Sequence, residues 1–512
     1  MQLLLLLLLT FIFSQINLTI IIISEILYNE PMSFEPIIGL EVHVQLNTNT
    51  KMFCSCSSKY LNVEPNTFVC NVCLGLPGAL PSVNYQAVIS AIKLGLSLNC
   101  KISNLTKFDR KNYVYPDLMK GYQISQLDLP IAIEGNMKVK NIEENYTKIR
   151  INRVHMEEDV AKLIHNEISG EVLVDLNRSG MPLLEVVTEP DFRSAIEAEN
   201  YLTNLQSIVR FLNIGNANME EGSFRCDANV SIRKKGTKKL NEKVEIKNMN
   251  RIKAVSRAIE YEIERQTLAF GSGERIIQET RGWDDLKSES IPQRSKEDAH
   301  DYRYFPEPDL PAIKLSEKFI EEIKNNLPEL PEEKLNRYVN QIGISEYDAK
   351  IIISSIEKTR FFEEVVNNFK DVETKLISNW LNVELNGVSN NNKDYDLKKM
   401  KLSSKNFGRL IKLVKDKKIN KNSGKEILNK IYFSDENPVE LVEKMGLKSM
   451  DNAEELGVIV KETLSENESA IVDFNNGKEN AVRYLIGQVM KKSRGTANPS
   501  QTEKEILRQL NE

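Results

Sequence analysis

The chain has 512 residues, enough for about three domains, and its 41% hydrophobic and 28% charged content suits a soluble globular protein with real cores. A net charge of -5 excludes binding to nucleic acid through overall charge, so any such contact has to be local. Six cysteines in so long a chain exclude a secreted disulfide framework, and four of them crowd into residues 54–73, which points to metal binding in a reducing compartment.

Residues 1–31 form an apolar leader. Met1 to Ile23 is mostly Leu, Ile and Phe, long enough to span a bilayer. No Lys or Arg precedes the apolar run, and no clear small-residue cleavage site follows it. A membrane anchor, an import leader and upstream sequence translated from a misassigned start compete; the third is favoured, because Met32 leads directly into the first strand.

That strand is Ile37 to Leu46. Leu40, Val42, Val44 and Leu46 fall on one face, and Glu41, His43 and Gln45 on the other. A carboxylate and an imidazole two residues apart, roughly 7 Å along a strand, can hold a hard cation or move protons. The competing reading is a half-buried strand with an incidental histidine. Cys54, Cys56, Cys70 and Cys73 make two close pairs on either side of one loop, a pattern that suits a structural tetrahedral zinc with no open position, or else four free thiols. A helix is expected over Ser82–Leu98.

Lys107 to Asp117 mixes bases, acids and aromatics without a helical period. It reads as a surface loop, or as a phosphate contact through Arg110 and Lys111 with Tyr113 or Tyr115 stacking on a base or ribose. Only four histidines exist, and His155 stands beside Glu157, Glu158 and Asp159. Three consecutive acids repel, so this is either a solvated acidic turn or a magnesium site. Val172 to Asn177 alternates, Gly180 and Pro182 force a turn, and an apolar strand carrying Glu185 follows; the pattern predicts a hairpin with polar groups at its tip. Ser194 and Glu197 form a capping box for a helix to about Leu212, stopped at Gly215. Phe224 to Arg233 alternates again, with Arg225, Asp227 and Asn229 on its polar side. Val244 to Asn248 repeats this briefly, and Asn250 is expected to cap a helix to about Phe270, ended by Gly271.

Of the 17 prolines only Pro438 and Pro499 follow Pro331, so a boundary is placed near residue 325, with helical sequence beyond it. Asp394 to Lys430 holds eleven Lys and Arg409 against Asp394, Asp396, Asp416 and Glu426, an excess that suits a phosphate backbone and otherwise reads as a solvated face. There is no P-loop, no Gly-x-Ser-x-Gly elbow and no zincin helix. The chemistry therefore has to come from carboxylates, His, Lys and Arg gathered from several strands.

Gly39-Leu40-Glu41-Val42-His43, Lys107 to Tyr113, His155 to Asp159, Asp175-Leu176-Asn177-Arg178 with Pro182-Leu183-Leu184-Glu185, Glu220 to Asp227, Asp301 to Pro308 and Gly487 to Lys491 together resemble the B-subunit family of glutamyl/aspartyl-tRNA amidotransferases. The resemblance runs in order from about Ser33 to the C-terminus. It implies ATP-dependent phosphorylation of the side-chain carboxylate of Glu-tRNA(Gln) or Asp-tRNA(Asn), then amidation with ammonia from a glutamine-hydrolysing A subunit, the pair being braced by a small C subunit. It implies an α+β fold: a cradle-like mixed α/β catalytic domain (32–325) with a zinc insertion at 54–73, an all-α domain (326–395), and a small helical tail domain (396–512) that contacts tRNA. By this resemblance Glu41, His43, Glu157 and Glu158 form the magnesium cage, with Glu220 a weaker candidate. Charge adds Arg110, Lys111 and Arg225 as ATP-phosphate contacts, and Lys398, Lys399, Lys401 and Lys405 as tRNA contacts. ATP, Mg2+ and structural zinc are the expected cofactors. No stable membrane association is expected, and the location is cytoplasmic, or an organelle matrix if residues 1–31 are an import leader. The alternative function is a non-catalytic, zinc-stabilised RNA-binding adaptor.

Overall fold

A computed structural model of the chain describes residues 34–166, 169–295, 301–390, 400–448, 453–478, 480–493 and 495–511. The apolar leader, His300, Lys398, Lys399 and the division expected at 395/396 lie outside the described residues. The chain divides into two compact units between Leu330 and Pro331, where it turns from mixed strands to helices.

The first unit is built on strands β1 (Phe34–Gln45), β2 (Lys101–Ile102), β3 (Leu105–Thr106), β4 (Asp109–Asn112), β5 (Tyr122–Ser125), β6 (Ala132–Lys140), β7 (Tyr146–Glu158), β8 (Lys162–His165), β9 (Val172–Asp175), β10 (Pro182–Thr188), β11 (Phe224–Lys234), β12 (Val244–Lys247), β13 (Glu279–Asp284) and β14 (Glu289–Ser295). Nine of them make one sheet in the order β14-β13-β12-β11-β1-β10-β7-β6-β2, antiparallel except for β12 beside β13. Period-two alternation sorts the central strands. Ile38, Leu40, Val42 and Val44 of β1, Val154 and Met156 of β7, Leu184 and Val186 of β10, and Phe224, Cys226, Ala228 and Val230 of β11 enter one buried core. Three helices supply its other side: α1 (Tyr85–Ser97), α2 (Ala195–Phe211) and α3 (Ile252–Gly271), through residues such as Ala91, Tyr201, Leu205, Val255 and Ile259. The polar residues of the same strands are thereby left on the face away from these helices.

Several local expectations shift. The helix expected over Ser82–Leu98 opens later, at Tyr85, because Asn84 caps α1, its side chain accepting the Ala87 N–H. Ser194 caps α2 as expected, but the chain turns off that helix at Asn213 (φ 53°) before reaching Gly215. Arg251 is the N-cap of α3 and makes no side-chain cap bond, so Asn250 stands one residue too early; the helix includes Gly271, and Gly273 takes the left-handed turn. The predicted hairpin does not form: β9 pairs with β8, whereas β10 runs between β1 and β7. The reason is burial, since the apolar β10 finds two central neighbours and the exposed β9 does not. The Lys107–Asp117 segment is not all loop, because Asp109–Asn112 is β4, paired with β5 and with Phe305–Pro306. The acids after His155 do not form a solvated turn; His155 to Glu158 are the buried end of β7.

The second unit is helical. The helix Ser404–Lys415 packs Phe407 on Phe361 of the helix Ile356–Asn368, ring centroids 5.3 Å apart, so the helices after the expected 395/396 division share a core with those before it. A separate cluster gathers Leu456, Val460, Leu485, Val489 and Ile506 near the C-terminus. Among the described residues no helix is long and apolar enough to cross a membrane.

Candidate active site

Register builds the site. On β1, β10 and β7, His43 stands opposite Glu185, and Glu185 opposite His155, while Glu157 lies two residues further along β7. All four side chains leave the sheet on its polar face. His43 Nε2 is 3.3 Å from Glu185 Oε2 and 3.4 Å from Glu157 Oε1. His155 Nε2 is 3.2 Å from Glu185 Oε2 and 3.8 Å from Glu157 Oε2. Two imidazoles thus share two buried carboxylates, and Ser125 donates to Glu157 at 3.3 Å.

Burial of the ring opposes protonation of His43, but Glu185 and Glu157 outweigh it and push its pKa up to about 10. The same contest leaves His155 at about 8. Burial pushes the Glu157 and Glu185 carboxyls up, yet both stay well below the usual carboxylate range because the imidazoles hold them ionised. One ligand atom from each of His43, Glu157 and Glu185 lies within 4.8 Å of the others. Adjacent ligands of an octahedral ion at 2.1 Å are about 3.0 Å apart, so the 3.3 and 3.4 Å separations fit a divalent cation with little movement.

The other expected residues divide. Glu41 lies on the same face of β1, beside Asp227 of β11, and accepts the Asn229 amide at 3.2 Å. Burial, then Glu185, Glu245 and Asp227, raise its pKa above the usual carboxyl value. Lys111 sits beside the trio. Burial opposes its charge, but Glu157, with Tyr304 and Glu185, raises its pKa, and its Nζ lies 4.9 Å from the Tyr302 ring centre. Tyr302 in turn packs edge-on against Tyr113 and Tyr304.

Glu158 leaves β7 on the opposite face from Glu157. It pairs there with Lys120 and accepts the Ile124 N–H, so it does not join the trio. Glu220 is exposed and bound to Arg251 at 2.9 Å, and it is not one of the trio. Arg110 is held by Glu307 at 2.7 Å and by Asp309 at 3.3 Å, and Arg225 by Asp159 at 3.1 Å. Lys401 and Lys405 are exposed, whereas Lys412, Lys421 and Lys425 of the basic run are bound to Asp371 or Glu384. Sequence reading gave no ligand role to Glu185 or to His155. The available signal for Glu185 was a lone carboxylate in an otherwise apolar strand.

The four cysteines converge as a second centre. Cys73 Sγ is 3.4 Å from Cys54 Sγ and 3.8 Å from the sulfurs of Cys56 and Cys70. Tetrahedral zinc with bonds of about 2.3 Å needs sulfurs about 3.8 Å apart, so the quartet fits the ion. In the metal-free chain hydrogen bonding from Cys54, aided by the Lys51 charge and opposed by burial, holds the Cys73 thiol well below the ordinary thiol range.

Residues 36–321 match the GatB/GatE catalytic domain family, and residues 360–510 match the GatB domain. The B subunit of the aspartyl/glutamyl-tRNA(Asn/Gln) amidotransferase of Dehalococcoides mccartyi strain CBDB1 is 48% identical over 477 residues, 91% of this chain and 97% of that protein. The protein of the same description from Caldanaerobacter subterraneus subsp. tengcongensis is 45% identical over 479 residues, 94% of this chain and 100% of the relative. That from Thermotoga maritima is 44% identical over 486 residues, 94% and 99%. A sheet that gathers two histidines and two carboxylates beside a half-buried lysine, and a match of this extent, lead to one conclusion: the chain belongs to the GatB/GatE family of amidotransferase B subunits.

Proposed function

We propose that in this chain the side-chain carboxylate of glutamate on tRNA(Gln), or of aspartate on tRNA(Asn), is activated with ATP and converted to the amide. The observation that carries the reading is the His43–Glu157–Glu185 trio with Lys111 beside it, in a chain so similar to amidotransferase B subunits. A carboxylate is a poor acyl donor because its leaving group would be an oxide. Its oxygen attacks the γ-phosphorus of ATP and ADP departs. Ammonia then attacks the acyl carbon, inorganic phosphate leaves with the C–O electron pair, and the nitrogen loses a proton.

Magnesium, when bound, neutralises the phosphates that must approach the substrate anion. His43, Glu157 and Glu185 would hold it, and Glu157 and Glu185 also fix the His155 ring. Lys111 adds a fixed positive charge. Glu41, with its raised carboxyl pKa, is the proposed acceptor of a proton from the incoming nitrogen. Glutamine hydrolysis is assigned to a partner A subunit, bracing to a small C subunit, zinc to the cysteine quartet, and tRNA contact to the basic run with Lys401 and Lys405. A reducing compartment keeps the thiols free, and a cytoplasmic location is part of the proposal.

The test is reconstitution with both partner subunits and each misacylated tRNA. Glu157→Gln and Glu41→Ala are expected to leave glutamine hydrolysis measurable and to abolish ATP-dependent amide formation. Normal amide formation by Glu157→Gln would overturn the site. Wild-type assembly that binds tRNA without consuming ATP would favour the adaptor, which family membership does not.

A further inference from the structure

Lys51 is the unusual residue outside the reacting face. It is fully buried, 0% exposed, and its ammonium has three acceptors: Phe68 O at 2.7 Å, Leu176 O at 3.2 Å and Cys73 Sγ at 3.5 Å. The two carbonyls are neutral. Only the sulfur can carry an opposite charge, and a buried ammonium without an anion is costly. Four thiolates around a divalent ion have the complementary need, since they leave two uncompensated negative charges. A compact three-donor ammonium meets three separate acceptors here, which a planar guanidinium would not.

The same lysine joins two distant stretches of chain. Asn66 Nδ2 donates to Val174 O at 3.1 Å, and Asn66 Oδ1 accepts the Leu176 N–H at 2.8 Å. Asn177 Oδ1 accepts the Phe68 N–H at 2.8 Å, and its Nδ2 donates to Glu64 O at 2.8 Å. Beyond Asn177 the chain passes Gly180, whose φ of 82° favours glycine and whose carbonyl accepts the Met52 N–H at 2.7 Å. It then enters β10, where Glu185 bonds both histidines. The cysteine loop therefore clamps the strand lead-in on which the reacting face depends.

We propose that Lys51 is a positioning residue of the cysteine centre: by bridging Cys73 to Leu176 it makes metal binding at the four sulfurs set the order of the 174–185 segment. This rests on the cysteine quartet binding a metal, but not on the assignment of the His43–Glu157–Glu185 trio.

The probe is Co2+ in place of zinc, read by its thiolate charge-transfer absorption on the full chain, together with hydrogen exchange of the 174–185 amides. Lys51→Met keeps the apolar stem and removes the charge and the donors. It is expected to weaken Co2+ binding about 10- to 100-fold, the usual cost of losing an outer partner of a metal ligand. It is also expected to speed amide exchange over 174–185. Wild-type Co2+ affinity in Lys51→Met would overturn the role of Lys51. Should that variant not fold, wild-type protein stripped with a chelator gives the second measurement: exchange over 174–185 must rise on metal removal, and unchanged exchange overturns the coupling. A wild-type chain that binds no Co2+ would instead sink the metal assignment of the quartet, and with it this role.

Discussion

Replacing Glu185 with glutamine tests the electrostatics of the reacting face most directly. The amide keeps the shape and removes one of the two charges that His43 and His155 share at 3.3 and 3.2 Å. His43 is held at about 10 against an ordinary value of 6.5, although burial alone would lower it. At ~1.4 kcal/mol per pKa unit that net difference is on the order of 5 kcal/mol, and because the two carboxylates also overcome the burial that lowers the value, loss of one withdraws at least roughly 2–3 kcal/mol. In Glu185→Gln the His43 pKa should thus fall by about two units. An imidazole NMR titration reads this directly, in a chain with only four histidines. Mn2+ binding followed by electron paramagnetic resonance should weaken at least about tenfold, because one of three ligands is lost. A His43 titration identical to wild type, with unchanged Mn2+ affinity, would refute the reasoning.

The histidines also set a pH dependence. Both have folded pKa values above the unfolded 6.5, so their contribution to stability is complete below pH 6.5 and is lost as pH rises through about 8 for His155 and about 10 for His43. Chemical denaturation of the metal-free chain should show falling stability across that window, while Mn2+ affinity rises as the His43 proton leaves. Glu158→Gln should spare Mn2+ binding but destabilise the fold by about 3–5 kcal/mol, since it strands the buried Lys120 ammonium; denaturant midpoints check this. Changing Lys398, Lys399, Lys401 and Lys405 to alanine should weaken tRNA binding and reduce its salt slope by roughly 0.7–0.9 for each phosphate no longer neutralised, measured by filter binding over a salt series. An unchanged slope would return that run to a solvated face.

Much of the strand arrangement was legible in the alternation of β1 and β11, because a strand with one face on a core must place apolar residues at every second position. The cap at Ser194 and the helix-ending turns were partly legible for the same local reason, with errors of a residue or two: Asn213 took the left-handed turn before Gly215, and Gly273 took it after Gly271. The false hairpin at 172–188 shows where local reading stops. Turn chemistry around Gly180 and Pro182 was real, but burial decided the partners of β10, one of them the distant β1. Glu157 and Glu158 make the same point at one peptide bond. They are identical in sequence terms, and only the register of β7 sends one to the histidines and the other to Lys120.

The chemical vocabulary is readable along the chain: a histidine and carboxylates on the polar sides of strands, four cysteines at zinc spacing, and a motif series sufficient to point to the family. It takes the folded sheet to bring His43, Glu157 and Glu185 together, to pair Glu158 and Arg110 elsewhere, and to lay Lys51 against Cys73. Strand pairing is set by the burial of whole faces against a common core, and that is a property of all the strands at once rather than of any one stretch of residues.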